Sequence, residues 1–355
     1  MRDSKAVVSL FSGGMGMDVG LGQAGLDVRV SQDFDRNCVK TMRANCGHPV
    51  VEGDVKALFA ADGEGRFLLD PAGLRPGEAF AVVGGPPCQS FSNAGRRLGL
   101  ADVRGTLFEE FVKAVDVVRP RFFVMENVVA LGSKSMPGVL DMMLACFSAI
   151  GYSHVHGTLD ASDFGAPQKR RRMIVIGSRD GERLSLPVPT HSDDPRSGLP
   201  AKTTVRQAIG DLLGREGERM SFAARTLGYI RHVPPGGNWR DLPEGMQAAA
   251  LGNAYTSGGG RTGFFRRLPW DGLSPTLMTS PVQRMSLLAH PSEDRPLSIK
   301  EYARIQGFPD DWRFQGARGA VYRQIGNAVA VPMAKAIGGR LLGIAASMDA
   351  LQEAA

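Results

Sequence analysis

The first 180 or so residues alternate short apolar runs with segments whose apolar positions recur at helical spacing. Ala6-Val7-Val8-Ser9-Leu10-Phe11 opens the series and leads through a glycine-rich turn into an amphipathic stretch from Met17, the pattern of strand, turn and helix. Val28 to Gln32, Ala79 to Val83, Phe122 to Met125 and Met173 to Gly177 are further strand candidates, each separated by enough chain for a crossover helix. These elements predict an α/β fold on a doubly wound, mostly parallel sheet. Ligands of such sheets bind at the carboxyl ends of the strands.

From about Leu186 the texture changes to proline, glycine and arginine with little periodicity, as in Pro234-Pro235-Gly236-Gly237-Asn238-Trp239 and Gly258-Gly259-Gly260. Regular pattern returns at Leu297 to Gln306, and a last amphipathic helix is expected from about Val331 through Ile337, Leu341 and Ile344. The expected organisation is a first domain over 1–186, a smaller irregular domain over 187–286, and a segment over 287–355 that returns to the first domain.

With 43% hydrophobic residues in 355, the chain can bury a core large enough for two lobes. No window approaches the 18 or so uninterrupted apolar residues of a membrane helix, and the N-terminus lacks a basic stretch followed by an apolar run. A soluble, cytoplasmic protein without a membrane partner is expected. The net charge of +6 decides little alone, but residues 187–286 hold twelve Lys and Arg against eight Asp and Glu, so four of the six net charges lie there. Eleven of those twelve are arginines, whose planar fork suits phosphate or the edge of guanine.

The four cysteines, Cys38, Cys46, Cys88 and Cys146, form no close pairs, and the six histidines show no ligand spacing, so neither a disulfide framework nor a metal site is expected. Cysteine is most often a small buried hydrophobe, and Cys38, Cys46 and Cys146 are read that way. Cys88 differs. It ends Gly84-Gly85-Pro86-Pro87-Cys88, a loop that follows a strand and is stiffened by two prolines, which holds a side chain at a fixed position.

This segment, Gly84 to Ser92, resembles the nucleophile loop of the cytosine-5 DNA methyltransferase family. Met125-Glu126-Asn127-Val128 resembles its Glu-Asn-Val motif, Gln168-Lys169-Arg170-Arg171-Arg172 its Gln-x-Arg-x-Arg motif, and Arg104-Gly105-Thr106-Leu107-Phe108 its Arg-Gly-x-Leu element. Arg304 to Pro309 and Gln324 to Val329 are similar to later blocks. The order and spacing agree throughout, and the likeness covers all but the interior of 187–286.

Carbon 5 of cytosine is too poor a nucleophile to take a methyl group directly, so a thiolate must first add at carbon 6. The resemblance gives that attack to Cys88. Electron density then moves toward ring nitrogen 3, where the family places Glu126, a carboxyl that burial beside a base would keep protonated. Arg172, with Arg170 nearby, is expected to hold the base oxygen, although four consecutive basic residues also suit a phosphate-facing patch. The target base must leave the stack to be reached. Residues 89–106, with Ser90, Arg96 and Arg97, resemble a loop that closes over it.

The resemblance also implies S-adenosylmethionine as cofactor. Phe11-Ser12-Gly13-Gly14-Met15-Gly16 is similar to the family's cofactor loop, with Phe11, Gly13 and Gly16 expected at the ligand. Met15 stands where glycine is usual and Ser9 where aspartate is frequent. Asp33 is expected on the ribose and Phe34 against the adenine face, with Asp54, Val55, Pro87, Leu107 and Asn327 as further family contacts.

Sequence choice on double-stranded DNA is expected in 187–286, where Thr276-Leu277 resembles a dipeptide that the family keeps. Gln168, Arg240, Arg266, Arg267 and Thr276 are DNA-contact candidates, most of them toward phosphate. A cognate restriction endonuclease without a stable complex is an expected partner; a solitary genome-marking role is the other setting. The nearest alternative is a tRNA cytosine-5 methyltransferase on the same scaffold. A nicotinamide oxidoreductase read from the glycine loop leaves Cys88, Glu126 and the arginines without tasks.

Overall fold

The computed structural model describes residues 5–87, 107–133, 136–256 and 263–353. The chain forms two compact units: residues 1–160, 171–189 and 329–355 make the first, and residues 161–170 and 190–328 the second.

In the first unit seven strands form one sheet. In chain order they are β1 (Ala6–Leu10), β2 (Asp27–Asp33), β3 (Val50–Glu52), β4 (Ala81–Gly84), β5 (Phe122–Val128), β6 (Ser153–Asp160) and β7 (Arg171–Ser178). Across the sheet they lie in the order β3-β2-β1-β4-β5-β7-β6. The first five pair in parallel, and β7 runs antiparallel between β5 and β6. The switch at β1 follows from two halves wound outward in opposite directions, which leaves a crevice at the carboxyl ends of β1 and β4.

Strands β1 and β4 are buried along their whole length, as central parallel strands covered on both faces must be, and they read as continuous apolar runs. On one face pack α1 (Gly16–Gln23) and the C-terminal helix Val331–Glu353, whose Val331, Met333, Ile337 and Leu341 are buried. Helices α2 (Arg36–Asn45) and α3 (Val55–Asp62) are each started by an aspartate, Asp35 and Asp54, whose side chain accepts a hydrogen bond from a first-turn amide. Helix α5 (Leu107–Val118), which follows α4 (Arg66–Ala72), places Phe108, Phe111, Val115 and Val118 at helical spacing in a core with Phe123 and Phe147.

The second unit is built from short helices and two-residue strands around its own core of Ile230, Val233, Trp239, Leu251, Phe264 and Phe265. The division differs from the expected one in three places, the first being that residues 187–189 stay with the first unit. Residues 161–170 belong to the second unit, and the chain returns to the first unit only at Val329, because the helices Ile299–Gln306 and Arg318–Asn327 pack within the second.

Candidate active site and cofactor cradle

The segment after β1 turns sharply enough to put Phe11, Gly13 and Met15 at φ of 54°, 55° and 67°. Left-handed backbone costs a non-glycine residue of order 1 kcal/mol, and Met15 meets that cost by burying its side chain almost completely. The departure from glycine at this position is therefore accommodated by packing. Gly13 faces open space, with only the Phe11 carbonyl 3.9 Å from where a β-carbon would stand.

Hydrogen bonds tie this loop to the ends of the neighbouring strands. The Gly13 amide donates to Asp33 Oδ2 (2.9 Å), the Ser12 amide to the Gln32 carbonyl (3.1 Å), and Gln32 Nε2 to the Gly53 carbonyl (2.7 Å). Asp33 is buried, which raises its pKa, while the amides of Asp35 and Gly13 oppose the rise. Beside it Phe34 leaves 64% of its surface exposed, among the largest bare apolar side chains described. Asp54 is exposed at the start of α3, Val55 is buried behind it, Gly16 is buried at the start of α1, Pro87 is exposed after β4, and Leu107 is half-buried at the start of α5. A carboxylate beside a bare aromatic face and an open glycine turn, at the carboxyl ends of adjacent strands, fit an adenosine-bearing ligand. Asn327, exposed at the end of its helix, lies in the second unit.

Ser9, standing where aspartate is frequent, faces a carboxylate supplied from elsewhere. Its Oγ donates to Asp18 Oδ1 (2.5 Å), Ser31 Oγ donates to Asp18 Oδ2 (3.2 Å), and Ser9 and Ser12 share a bond of 2.8 Å. Ser31 also bonds His48 Nε2 at 2.8 Å. Asp18 is fully buried, and burial pushes its carboxyl up to about 6. Sequence reasoning missed Asp18, because a lone acid in an amphipathic helix reads as a surface residue.

At the end of β5, Glu126 and Arg172 form an ion pair with Arg172 Nε 2.8 Å from Glu126 Oε1, both side chains mostly buried. The pairing register explains it: Glu126 lies opposite Ile174 and Val128 opposite Arg172, so Arg172 is the diagonal neighbour of Glu126 on one face of an antiparallel pair. Two contacts bind this pair to the loop after β4. Asn127, buried, donates through Nδ2 to the Pro86 carbonyl (3.1 Å), and a β-carbon on Gly85 would stand 2.9 Å from Glu126 Oε2. The Glu-Asn pair thus rests on Gly85 and Pro86, three and two residues before Cys88 in the sequence. Cys88 itself, with Ser90, Arg96 and Arg97, lies outside the described residues.

The basic cluster is not one patch. Along Gln168-Lys169-Arg170-Arg171 burial alternates with the period of an extended strand, with Gln168 and Arg170 inside and Lys169 and Arg171 outside. Arg170 is the correction to the expected base-binding pair: it is completely buried in the second unit and donates to the carbonyls of Leu277 (3.2 Å), Gly326 (2.8 Å) and Ala328 (2.8 Å). Its donors are directed at backbone, so it braces the unit. Gln168 is likewise buried rather than DNA-facing; its Nε2 donates to the Ile305 carbonyl (3.1 Å) and to Gln306, and its Oε1 accepts from the Leu277 amide (3.2 Å). Thr276 is half-buried and donates to the Lys169 carbonyl (2.7 Å).

Among the arginine candidates, Arg240 is exposed, with its guanidinium 4.9 Å from the ring centre of Trp239. Arg267 is buried and fully occupied by the carbonyls of Ile230, Val233, His290 and Glu293 and the Asp294 carboxylate, so it too is corrected from DNA contact to internal brace. Arg266, half-buried, points elsewhere.

Residues 6–343 match the family model described as C-5 cytosine-specific DNA methylase. The chain is 37% identical over 337 residues to the Type II methyltransferase M.Sau96I of Staphylococcus aureus, covering 95% of this chain and 75% of that protein. It is 37% identical over 343 residues to M.Eco47II of Escherichia coli, covering 94% and 77%. Among solved structures, a prophage-encoded Escherichia coli protein described as a DNA modification methyltransferase superposes with a TM-score of 0.67 at 25% identity, over 96% of this chain and 99% of the other. The S. pombe Dnmt2 methyltransferase shares the fold, with a TM-score of 0.60 at 18% identity over 95% and 98%.

Proposed function

Because the chain belongs to the C-5 cytosine-specific DNA methylases, and so is a DNA (cytosine-5-)-methyltransferase, we propose that it methylates a cytosine flipped out of a short duplex sequence through a covalent Cys88 adduct. The observation that supports this most is the Glu126–Arg172 pair, set against Gly85 and tied through Asn127 to Pro86. That arrangement puts a carboxyl and a guanidinium in fixed relation to the loop that delivers Cys88.

In this reading the Cys88 thiolate adds to carbon 6, forming the S–C6 bond and moving the ring's electron pair toward nitrogen 3. Glu126, protonated once the base covers it, donates its carboxyl proton to nitrogen 3 and so stabilises the electron-rich ring, while Arg172 holds the carboxyl in place and offers its remaining donors to the base oxygen. Phe11, Gly13, Gly16, Asp33, Phe34, Asp54, Val55, Pro87 and Leu107 would hold S-adenosylmethionine, which would supply the methyl group as an electrophile at carbon 5. Loss of the carbon-5 proton to water then restores the double bond and expels the thiolate, which regenerates Cys88. Extruding the base costs a few kcal/mol, which contacts to the flipped nucleotide offset. The Type II relatives support a place in a restriction-modification system, in the bacterial cytoplasm, with protection from a cognate endonuclease as the purpose.

The test is a duplex in which the target cytosine carries fluorine at carbon 5, which cannot leave as a proton does and so arrests the enzyme on its adduct. Wild type with S-adenosylmethionine should give a denaturation-resistant protein–DNA complex, and Cys88→Ser none. An equal yield of complex from the serine variant would remove Cys88 from the mechanism.

A further inference from the structure

Two adjacent arginines in the second unit have opposite environments. The two-residue strand Arg266–Arg267 pairs in parallel with Leu288–Ala289, so its side chains point to opposite faces. Arg267 points inward and is occupied at every nitrogen. Arg266 lines a cavity of about 460 Å³ within the same unit, whose wall also includes Lys169, Lys202, Gly237, Pro269 and part of Arg267. Among the described residues its guanidinium makes no hydrogen bond and no ion pair, although its Nε is buried.

Of the other charged groups around the cavity, Lys202 and Asp271 are committed, while the carboxylate of Asp193, exposed, makes no ion pair among the described residues. Lys202 pairs with Asp163 (2.8 Å), and Asp271 is gripped by Arg206 at 2.6 and 2.8 Å. Lys169, exposed at the rim, makes no side-chain ion pair among the described residues. The cavity wall therefore carries two uncommitted cations against one exposed carboxylate, a positive balance. Burial of an unpaired charge is unfavourable, and here it lowers the Arg266 pKa. A concave site that holds its cations without a partner is suited to a protruding anion, whereas a base edge in a groove is reached by a side chain that projects.

We propose that this cavity seats a phosphodiester of the DNA backbone, held by Arg266 and Lys169, and so sets the register of the second unit on the duplex. The proposal rests on the reading of duplex DNA as substrate. Arg266 supplies a planar fork to two phosphate oxygens and Lys169 a point charge from the rim. Neither residue would choose a base, so the methylated sequence stays the same when they are removed.

The experiment measures equilibrium binding of the full-length protein to a duplex containing the site that wild type methylates, across a salt series, for wild type, Arg266→Ala, Arg266→Lys and Arg266→Ala with Lys169→Ala. Removing one phosphate contact should lower the slope of log K against log salt by about 0.9, and removing both by about 1.8. Arg266→Ala should weaken binding roughly fivefold to tenfold at 100 mM salt, with Arg266→Lys intermediate. Its Tm should not fall, since the guanidinium braces nothing. Base-resolution mapping should return the wild-type site for every variant. An unchanged salt slope would overturn the proposal, and so would relaxed sequence choice at a single position, which would make Arg266 a base reader. If wild type methylates no duplex at all, the failure lies with the proposed function and is seen before any variant is compared.

Discussion

Replacing Asp18 with asparagine should stabilise this protein, and by more at high pH than at low. Asp18 is fully buried among Ser9, Ser12 and Ser31, and burial raises its carboxyl from 3.8 to about 6. A folded-state pKa above the unfolded one means that the native protein binds the extra proton. Stability at this site is thus complete below about pH 4 and is lost as pH rises through 6. At roughly 1.36 kcal/mol per pH unit, the difference between 3.8 and about 6 corresponds to about 3 kcal/mol of cost above pH 7. Asparagine stays neutral and carries none of it. It does forfeit one acceptor, because an amide NH₂ cannot accept the Ser31 hydroxyl, at about 1 kcal/mol. That loss is independent of pH. From the two pKa values, the wild-type cost is between about 1 and 2 kcal/mol at pH 5 and about 3 kcal/mol at pH 8, so the stability gap should widen by roughly 1 kcal/mol between them. Urea unfolding of both proteins at the two pH values measures the gap directly. A gap that stays constant, or that narrows as pH rises, would refute the reasoning.

Three further perturbations follow from the same geometry. Gly85→Ala should leave Tm nearly unchanged yet lower kcat by about tenfold to a hundredfold, since a β-carbon 2.9 Å from Glu126 Oε2 displaces the carboxyl; a wild-type rate in steady-state methylation would contradict this. Arg170→Ala should destabilise the protein by about 3 kcal/mol or more in urea, because three buried carbonyls lose their donors, and lysine should fail to rescue it. Phe34→Ala should weaken binding of S-adenosylhomocysteine by calorimetry about tenfold, through loss of about 1–3 kcal/mol of stacking, without lowering Tm; unchanged affinity would remove Phe34 from the cradle.

The strands most legible in the sequence are those that the fold buries on both faces. β1, β4 and β5 read as apolar runs because central strands under two helical layers have no polar side. β3 is three residues long and β6 is an edge strand with only Leu159 buried, so neither carries a strong pattern. The limits of the second unit were less legible, because short helices and two-residue strands leave little periodicity to read. The arginine cluster shows why composition alone misplaces side chains. Arg170 and Arg172 look equivalent in sequence, but one lies in the second unit against backbone carbonyls and the other pairs with Glu126 across two strands of the first. Likewise Arg266 and Arg267 look interchangeable until the strand turns one in and the other out. Asp18 left no sequence signal, since its burial depends on serines that reach it from β1 and β2.

The measurement that bears most directly on the central claim is incubation of the full-length protein with labelled S-adenosylmethionine and separate duplex DNA and tRNA pools, with Cys88→Ser in parallel and base-resolution mapping of the products. The account predicts 5-methylcytosine in DNA at one short motif and no label from the serine variant. Label confined to tRNA, or undiminished methylation of DNA by Cys88→Ser, would contradict it.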